Sequence, residues 1–302
     1  MFIHSLRDRL DGYQTITDPV TGWKLNSGAW ARVYGNRRTT YSAGESLRST
    51  VNTAAIQAGM DLFGWSNQTY GQFRAGVMFG KGSASGDTIA RRGRSYGSSN
   101  DVDGFSVGAY ATWFQHEEHV GGFYVDAWVQ HGWFDNTITG GGLPKEKYDS
   151  RAWSASLEAG YSLPLRKTET SSWFLDPFAQ LIYTNYKADR HIETGGTLVR
   201  SIGDSNVISR IGGRFYGQFK TESGKTIEPF LEASWWHNGH ENAIFMNDDK
   251  VRSNLAKNIA ELKVGLKSEI ARNLYLSVDV SAQYGDHKYR QFAGQVGLRY
   301  TW

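Results

Sequence analysis

The chain has no cysteine, only 5 prolines, and no apolar run of the roughly 18 residues that a membrane-spanning helix needs. Each shortage excludes something. Without cysteine there is no thiol nucleophile, thiolate metal site or disulfide, which suits a protein that crosses an oxidising periplasm. Without a long apolar run, a helical membrane protein is excluded. Scarce proline leaves long strands free to hydrogen-bond without interruption. The formal net charge of +3, with Lys and Arg dispersed along the chain, is no nucleic-acid footprint. Met1 to Leu10 carries Arg7, Asp8 and Arg9 where a signal peptide needs an apolar segment. A targeting signal is therefore expected to have been removed, or to lie upstream in a longer protein.

Catalytic patterns are also missing. There is no His-x-Ser of the kind used by barrel lipid hydrolases. Asp286-His287 is the nearest imitation of a barrel-protease pair and lacks a partner pair. The run His116, Glu117, Glu118, His119 has ligand-type side chains but sits in a predicted tight turn, on no common metal scaffold. Gly140 to Gly142 opens no helix and so forms no phosphate cradle. Arg91, Arg92 and Arg94, flanked by Gly and Ser, read as an external loop able to meet anionic lipopolysaccharide or to stay solvated. The sequence calls for no enzyme activity, cofactor or metal.

What is abundant is glycine, 35 residues, and aromatics, with 11 Trp, 16 Tyr and 15 Phe. They fall in about twelve segments of period-two alternation, an even number as bacterial single-chain membrane barrels require. The first segment begins at Gly28, and the apolar faces run from Ala29, Ala31 and Val33 to Phe292, Val296, Leu298, Tyr300 and Trp302. The opposite faces carry Arg32, Asp61, Arg74, Asp126, Glu158, Asp176, Arg210, Arg214, Glu228, Glu232, Glu261, Lys263, Lys267, Glu269, Asp279 and Arg299.

Period alone does not say which face is wet, because a soluble barrel would point its apolar face inward. The connections favour a membrane. Long ones are expected at Asn36 to Asn52, Gly80 to Asp103, Asp135 to Ser150, Lys187 to Asp204 and His237 to Lys257. Short ones fall at Gly64 to Gln68, Gln115 to Val120, Lys220 to Lys225 and Ala271 to Asn273, as periplasmic turns do. Trp113, Tyr161, Trp173, Tyr183, Trp235 and Tyr284 gather toward strand ends, where interfacial girdles sit.

Phe2, Ile3, Leu6, Leu10 and Tyr13 at helical spacing predict a short helix over Met1 to Tyr13, with Leu6, Arg7, Asp8, Arg9 and Leu10 at its centre. Asp18, Pro19 and Gly22 then mark a turn-rich linker outside the sheet. The helix could rest on a barrel mouth. The stronger expectation places it inside, since about twelve strands enclose a lumen too wide for wall side chains to fill. There Arg7, Asp8 and Arg9 could pair with Glu158, Asp176, Glu232, Glu261, Arg210 and Arg214.

The segments FIHSLRDRLDGYQ (2–14), GAWARVYG (28–35), PFAQLIY (177–183), PFLEASWWHN (229–238) and QFAGQVGLRYTW (291–302) resemble the C-terminal translocator domain of monomeric type V autotransporters. Within that family the chain is most similar to the adhesin branch that includes the diffuse-adherence adhesin and antigen 43. The resemblance implies an all-β, 12-stranded antiparallel barrel in the Gram-negative outer membrane, with an α-helix in the lumen, the lumenal helix and its linker together occupying residues 1–27 and the translocator barrel 28–302. It implies secretion and surface anchoring of an N-terminal passenger. A porin-like diffusion channel is the alternative, and an outer-membrane hydrolase a weaker one. The implied partners are outer-membrane lipid and lipopolysaccharide, the chain's own passenger and the barrel assembly machinery; nucleic acid is not among them, and a monomer is expected. Val296, Leu298, Tyr300 and Trp302 resemble the signal that this machinery reads. Some relatives cut their passenger at an Asn-Asn pair in the helix; this segment has none.

Overall fold

A computed structural model describes residues 1–9, 16–17, 24–25, 28–42, 45–67, 69–90, 97–116, 121–140, 142, 144–189, 191–192, 198–201, 204–222, 224–239, 243–246, 249–252 and 256–302. Among these, twelve long strands form the wall. They are β1 (Gly28–Ser42), β2 (Leu47–Asn67), β3 (Gly71–Ala90), β4 (Gly97–Phe114), β5 (Gly122–Gly140), β6 (Glu146–Lys167), β7 (Ser171–Ala188), β8 (Asp204–Lys220), β9 (Thr226–Asn238), β10 (Asn258–Ala271), β11 (Leu274–Gly285) and β12 (Tyr289–Thr301). Each pairs antiparallel with its neighbours in sequence. β12 returns to β1 with Val296 opposite Val33 and Leu298 opposite Ala31, so the cylinder closes and leaves no free edge.

The faces are sorted as lipid demands. Along β12, Val296, Leu298 and Tyr300 are exposed while Gln295, Arg299 and Thr301 between them are buried. The same inversion runs round the barrel: Val33 is 56% exposed and Leu157 54%, whereas Asp126 and Asp176 are each 1% exposed. A soluble barrel would do the reverse.

Inward-facing glycines let rings lie against the wall. The indole of Trp30 lies 2.7 Å from where a Cβ on Gly59 would stand, and the Phe230 ring 2.6 Å from that of Gly265, each pair directly opposite or flanking across one strand gap. Three irregularities, at Asp61/Phe63, Pro164/Arg166 and Glu269/Ala271, all sit close to the short turns. Each lets an extra residue face outward, as Leu62 and Phe63 both do.

Three expectations change. The first concerns the connections, because pairing continues far past the lipid: Asn36 pairs with Thr53, and Ser42 with Leu47. Gly82 likewise pairs with Gly104, and Ile89 with Gly97. Asn136 and Ile138 of β5 pair with Tyr148 and Glu146 of β6, so most of Asp135 to Ser150 is strand too. Beyond the membrane both faces are wet, so alternation fades while the hydrogen-bond ladder persists. Within the other two connections, His191–Ile192, Leu198–Ser201, Ala243–Met246 and Asp249–Arg252 form a separate four-stranded sheet.

Second, the linker does join the sheet: Ile16–Thr17 pairs with Lys24–Leu25, and Lys24 with Ser66 of β2. Third, the N-terminal segment is not an α-helix within the described residues 1–9; it makes one 3-10 turn, Leu6–Arg9. Its backbone groups are taken by wall side chains rather than by partners four residues along. Leu10 and Tyr13 lie outside the described residues.

Candidate functional site

The lumen is the site. Inward positions of the wall place Arg32, Asp61, Arg74, Asp126, Glu158, Asp176, Arg210, Arg214, Glu228, Glu232, Glu261, Lys267, Asp279 and Arg299 in buried surroundings, with Lys263 and Glu269 half-buried. Buried charges need partners, and here most find them.

Met1 to Arg9 threads through this charged interior. The Arg9 guanidinium donates to the Asp126 carboxylate and to Thr112 Oγ1 (3.2 Å), and lies over the Tyr110 ring at 4.4 Å. Arg7 donates to Asp176 at 2.5 Å. Asp8 accepts from Lys263 Nζ at 3.0 Å, with Arg32 3.8 Å away, and caps its own turn through Ser5 N and Oγ. The Leu6 N–H donates to Glu158 at 3.2 Å.

Uncharged wall groups, omitted from the sequence-based candidates, do as much. Gln57 and Gln130 donate side-chain N–H to the Phe2 carbonyl, while Trp128 and Gln180 donate to the His4 carbonyl. They stand on the same polar faces as the charges, and that shared face is the signal that could have found them. His4 stacks on Trp128 with centroids 4.9 Å apart. Its Nδ1–H donates to the Phe2 carbonyl, which can only accept, so Nε2 is left to accept from Arg9 at 3.3 Å.

The other expected partners pair within the wall. Arg210 donates to Glu232 and Ser234, approaches Glu261 at 3.6 Å, and is sandwiched between the Phe178 and Trp236 rings, each 4.7 Å away. Arg214 donates to Glu228 at 3.1 Å and Arg299 to Asp61. For Arg210, Glu232 and Arg214 these partners stand on the neighbouring strand of the wall. Arg74 lies over the Phe114 ring at 5.6 Å and Lys267 over that of Tyr275 at 5.8 Å. Asp279 lines a cavity of about 180 Å³ beside Asp8 and Lys263. A second cavity of about 580 Å³ opens beyond Phe2, among Tyr34, Asn36, Arg38 and Phe134.

The remaining candidates separate. Asp286-His287 forms a hairpin turn in which the Tyr289 N–H bonds the Asp286 carbonyl, and the Asp286 carboxylate accepts from Asn258. Among the described residues no His/Cys/Asp/Glu group is placed to hold a metal. Glu117, Glu118, His119, Gly141, Arg91, Arg92 and Arg94 lie outside the described residues.

A closed cylinder with an apolar exterior, a charge-paired interior and polypeptide in its lumen is a transmembrane β-barrel of the outer-membrane type. Residues 29–281 match the model of the autotransporter β-domain, and the chain belongs to that family. It is 35% identical over its whole length to YuaQ of Escherichia coli K12, and 29% identical over 91% of its length to the autotransporter adhesin AIDA-I of Escherichia coli. It spans only 22% of each of those proteins. The crystal structure of the AIDA-I transport unit superposes with a TM-score of 0.87 at 30% identity, covering 100% of this chain and 94% of that one. The chain is thus an autotransporter translocator domain of the Gram-negative outer membrane, and domains of this family are translocators, not catalysts.

Proposed function

We propose that this barrel, residues 28–302, carries a passenger joined to its N-terminus out to the cell surface and then anchors it, with residues 1–27 acting as the lumenal tether. The observation that carries this is the direction of Met1 to Arg9. Arg7 binds Asp176, six residues from the short turn that precedes β7, whereas the Met1 sulfur lies within contact distance of where side chains on Gly82 and Gly104 would stand, far along β3 and β4. Chain upstream of Met1 would leave by the mouth that carries the long connections.

The paired lumenal charges suit this role: they satisfy a backbone passing through water-poor space without the apolar grip that would trap it. Among the described residues, lumenal carboxylates such as Asp176, Glu232 and Glu228 are engaged by arginines, which supports a structural rather than a catalytic role for them. Its partners are outer-membrane lipid and lipopolysaccharide, the passenger, and the barrel assembly machinery, which reads Val296, Leu298, Tyr300 and Trp302. It acts as a monomer, its outward face being given to lipid.

A reporter domain fused upstream of Met1, behind a signal peptide, tests this in Gram-negative cells. The reporter becomes sensitive to protease added to intact cells. A reporter that stays protected although the barrel is folded in the outer membrane would contradict the proposal.

A further inference from the structure

The outward face of the barrel is not uniform at the end carrying the long connections. One cross-strand row passes, residue opposite residue, from Lys81 through Phe105, Trp133 and Arg151 to Lys187 on β3 to β7. With strands about 4.8 Å apart, the row is about 20 Å long. All five side chains are exposed. Arg151 and Lys187 stand directly opposite each other, an arrangement that costs stability unless something anionic lies between or above them.

Among the described residues no protein group does so. Asp135 and Asp149 stand one register step farther from the lipid, and among the described residues neither forms an ion pair with Arg151 or Lys187. Beside and beneath the two cations lies an aromatic cluster, with Trp133 in their own row and His131 and Trp153 one step toward the lipid. The His131 ring meets Trp133 edge-on at 4.4 Å and Trp153 at 4.5 Å. Below that stand Val129 and Tyr183, and then Leu157 and Leu181, all exposed.

From lipid outward the order is therefore acyl-compatible surface, amphipathic rings, then a row of rings and cations that form no ion pair among the described residues. That is the order of chemistry in a phosphorylated glycolipid: hydrocarbon chains, sugar rings, phosphates. Interfacial rings sit at headgroup level, and Arg and Lys there attract anionic headgroups, Arg with a fork that matches phosphate. We infer that Arg151 and Lys187, beside Trp133 and above the His131 and Trp153 rings, bind the phosphate of a phosphorylated glycolipid in the outer leaflet, with Lys81 extending the site along the row. This rests on the outer-membrane reading and specifies one place on the barrel.

The test is to refold the intact chain, Arg151→Gln/Lys187→Gln, and a control, Arg37→Gln/Arg290→Gln, whose arginines are exposed on β1 and β12. The vesicles are phosphatidylcholine alone, or doped with lipopolysaccharide or with charge-matched phosphatidylglycerol. Thermal loss of the compact, detergent-resistant form gives Tm. Lipopolysaccharide is expected to raise Tm of the intact chain by several degrees more than phosphatidylglycerol does. Arg151→Gln/Lys187→Gln loses most of that increment while folding normally in phosphatidylcholine, and the control keeps it. Retention of the increment in Arg151→Gln/Lys187→Gln, equal loss in the control, or an equal increment from phosphatidylglycerol would overturn the site. Failure of the intact chain to insert into any vesicle would overturn the barrel reading instead.

Discussion

The guanidinium of Arg9 and the carboxylate of Asp126 meet inside the barrel, both side chains almost fully buried, one on the threaded segment and one on the wall. Neither could stay charged there alone. This pair and Arg7 with Asp176 fix the register in which Met1 to Arg9 lies along β5 and β7.

Removing one partner should therefore cost more than removing both. Arg9→Ala is expected to destabilise the folded chain by about 3–5 kcal/mol, because the buried Asp126 carboxylate loses the Arg9 guanidinium. Arg9→Ala/Asp126→Ala should recover a large part of that loss. Denaturant unfolding of the four members of the cycle in one lipid system measures the coupling, and simple additivity would count against the pair.

Packing of rings into inward glycines makes a second prediction. The Tyr124 ring lies 2.5 Å from where a Cβ on Gly160 would stand, whereas a Cβ on Gly213 would meet only Leu175 at 3.9 Å. Gly160→Val is expected to cost about 1–3 kcal/mol through overpacking. Gly213→Val should be close to neutral. Equal Tm values for the two variants would refute the packing argument.

The β11–β12 hairpin offers a gain. His287 (φ 56°) and Lys288 (φ 57°) both adopt the left-handed conformation, costly for residues with a side chain and natural for Asn-Gly in a two-residue hairpin turn. His287→Asn/Lys288→Gly should stabilise by about 1 kcal/mol, less the small contribution of the exposed Lys288–Glu45 pair. A drop in Tm would show that the turn carries no such strain.

At the other end of β12, Trp302 follows the last paired residue, with its ring 6.0 Å from that of Tyr300. Trp302→Asp is expected to impair insertion of newly made protein in cells while leaving spontaneous refolding in detergent much less affected. Normal assembly of that variant in cells would remove the proposed role of this terminal pattern.

How much of this was legible depended on where a residue meets lipid. Between the girdles, alternation is enforced on every residue, so strands such as Phe123–Val129 and Leu274–Tyr284 could be read directly. Outside the lipid, Thr39, Thr50, Thr88 and Ser98 keep their ladder partners without any apolar signature, and pairing was mistaken for loop. At the short-turn rim, the extra residue at Leu62/Phe63 shifts the phase, which a strict period of two does not anticipate. In the lumen, helical spacing of Phe2, Ile3 and Leu6 reported burial rather than helix: a segment surrounded on all sides buries apolar residues at any spacing. Which charges pair depends on strand order, so Arg210 found Glu232 on the next strand while Arg7 and Arg9 found Asp176 and Asp126.

The central claim is that the N-terminal segment, held by these pairs, fills the pore of a translocator. Single-channel conductance in planar bilayers tests it most directly, comparing the intact chain with one lacking Met1 to Gln14. The account predicts low, intermittent conductance for the intact chain and a several-fold larger, steady conductance after the deletion. A wide, steady conductance already present in the intact chain would contradict it and point to an open diffusion channel.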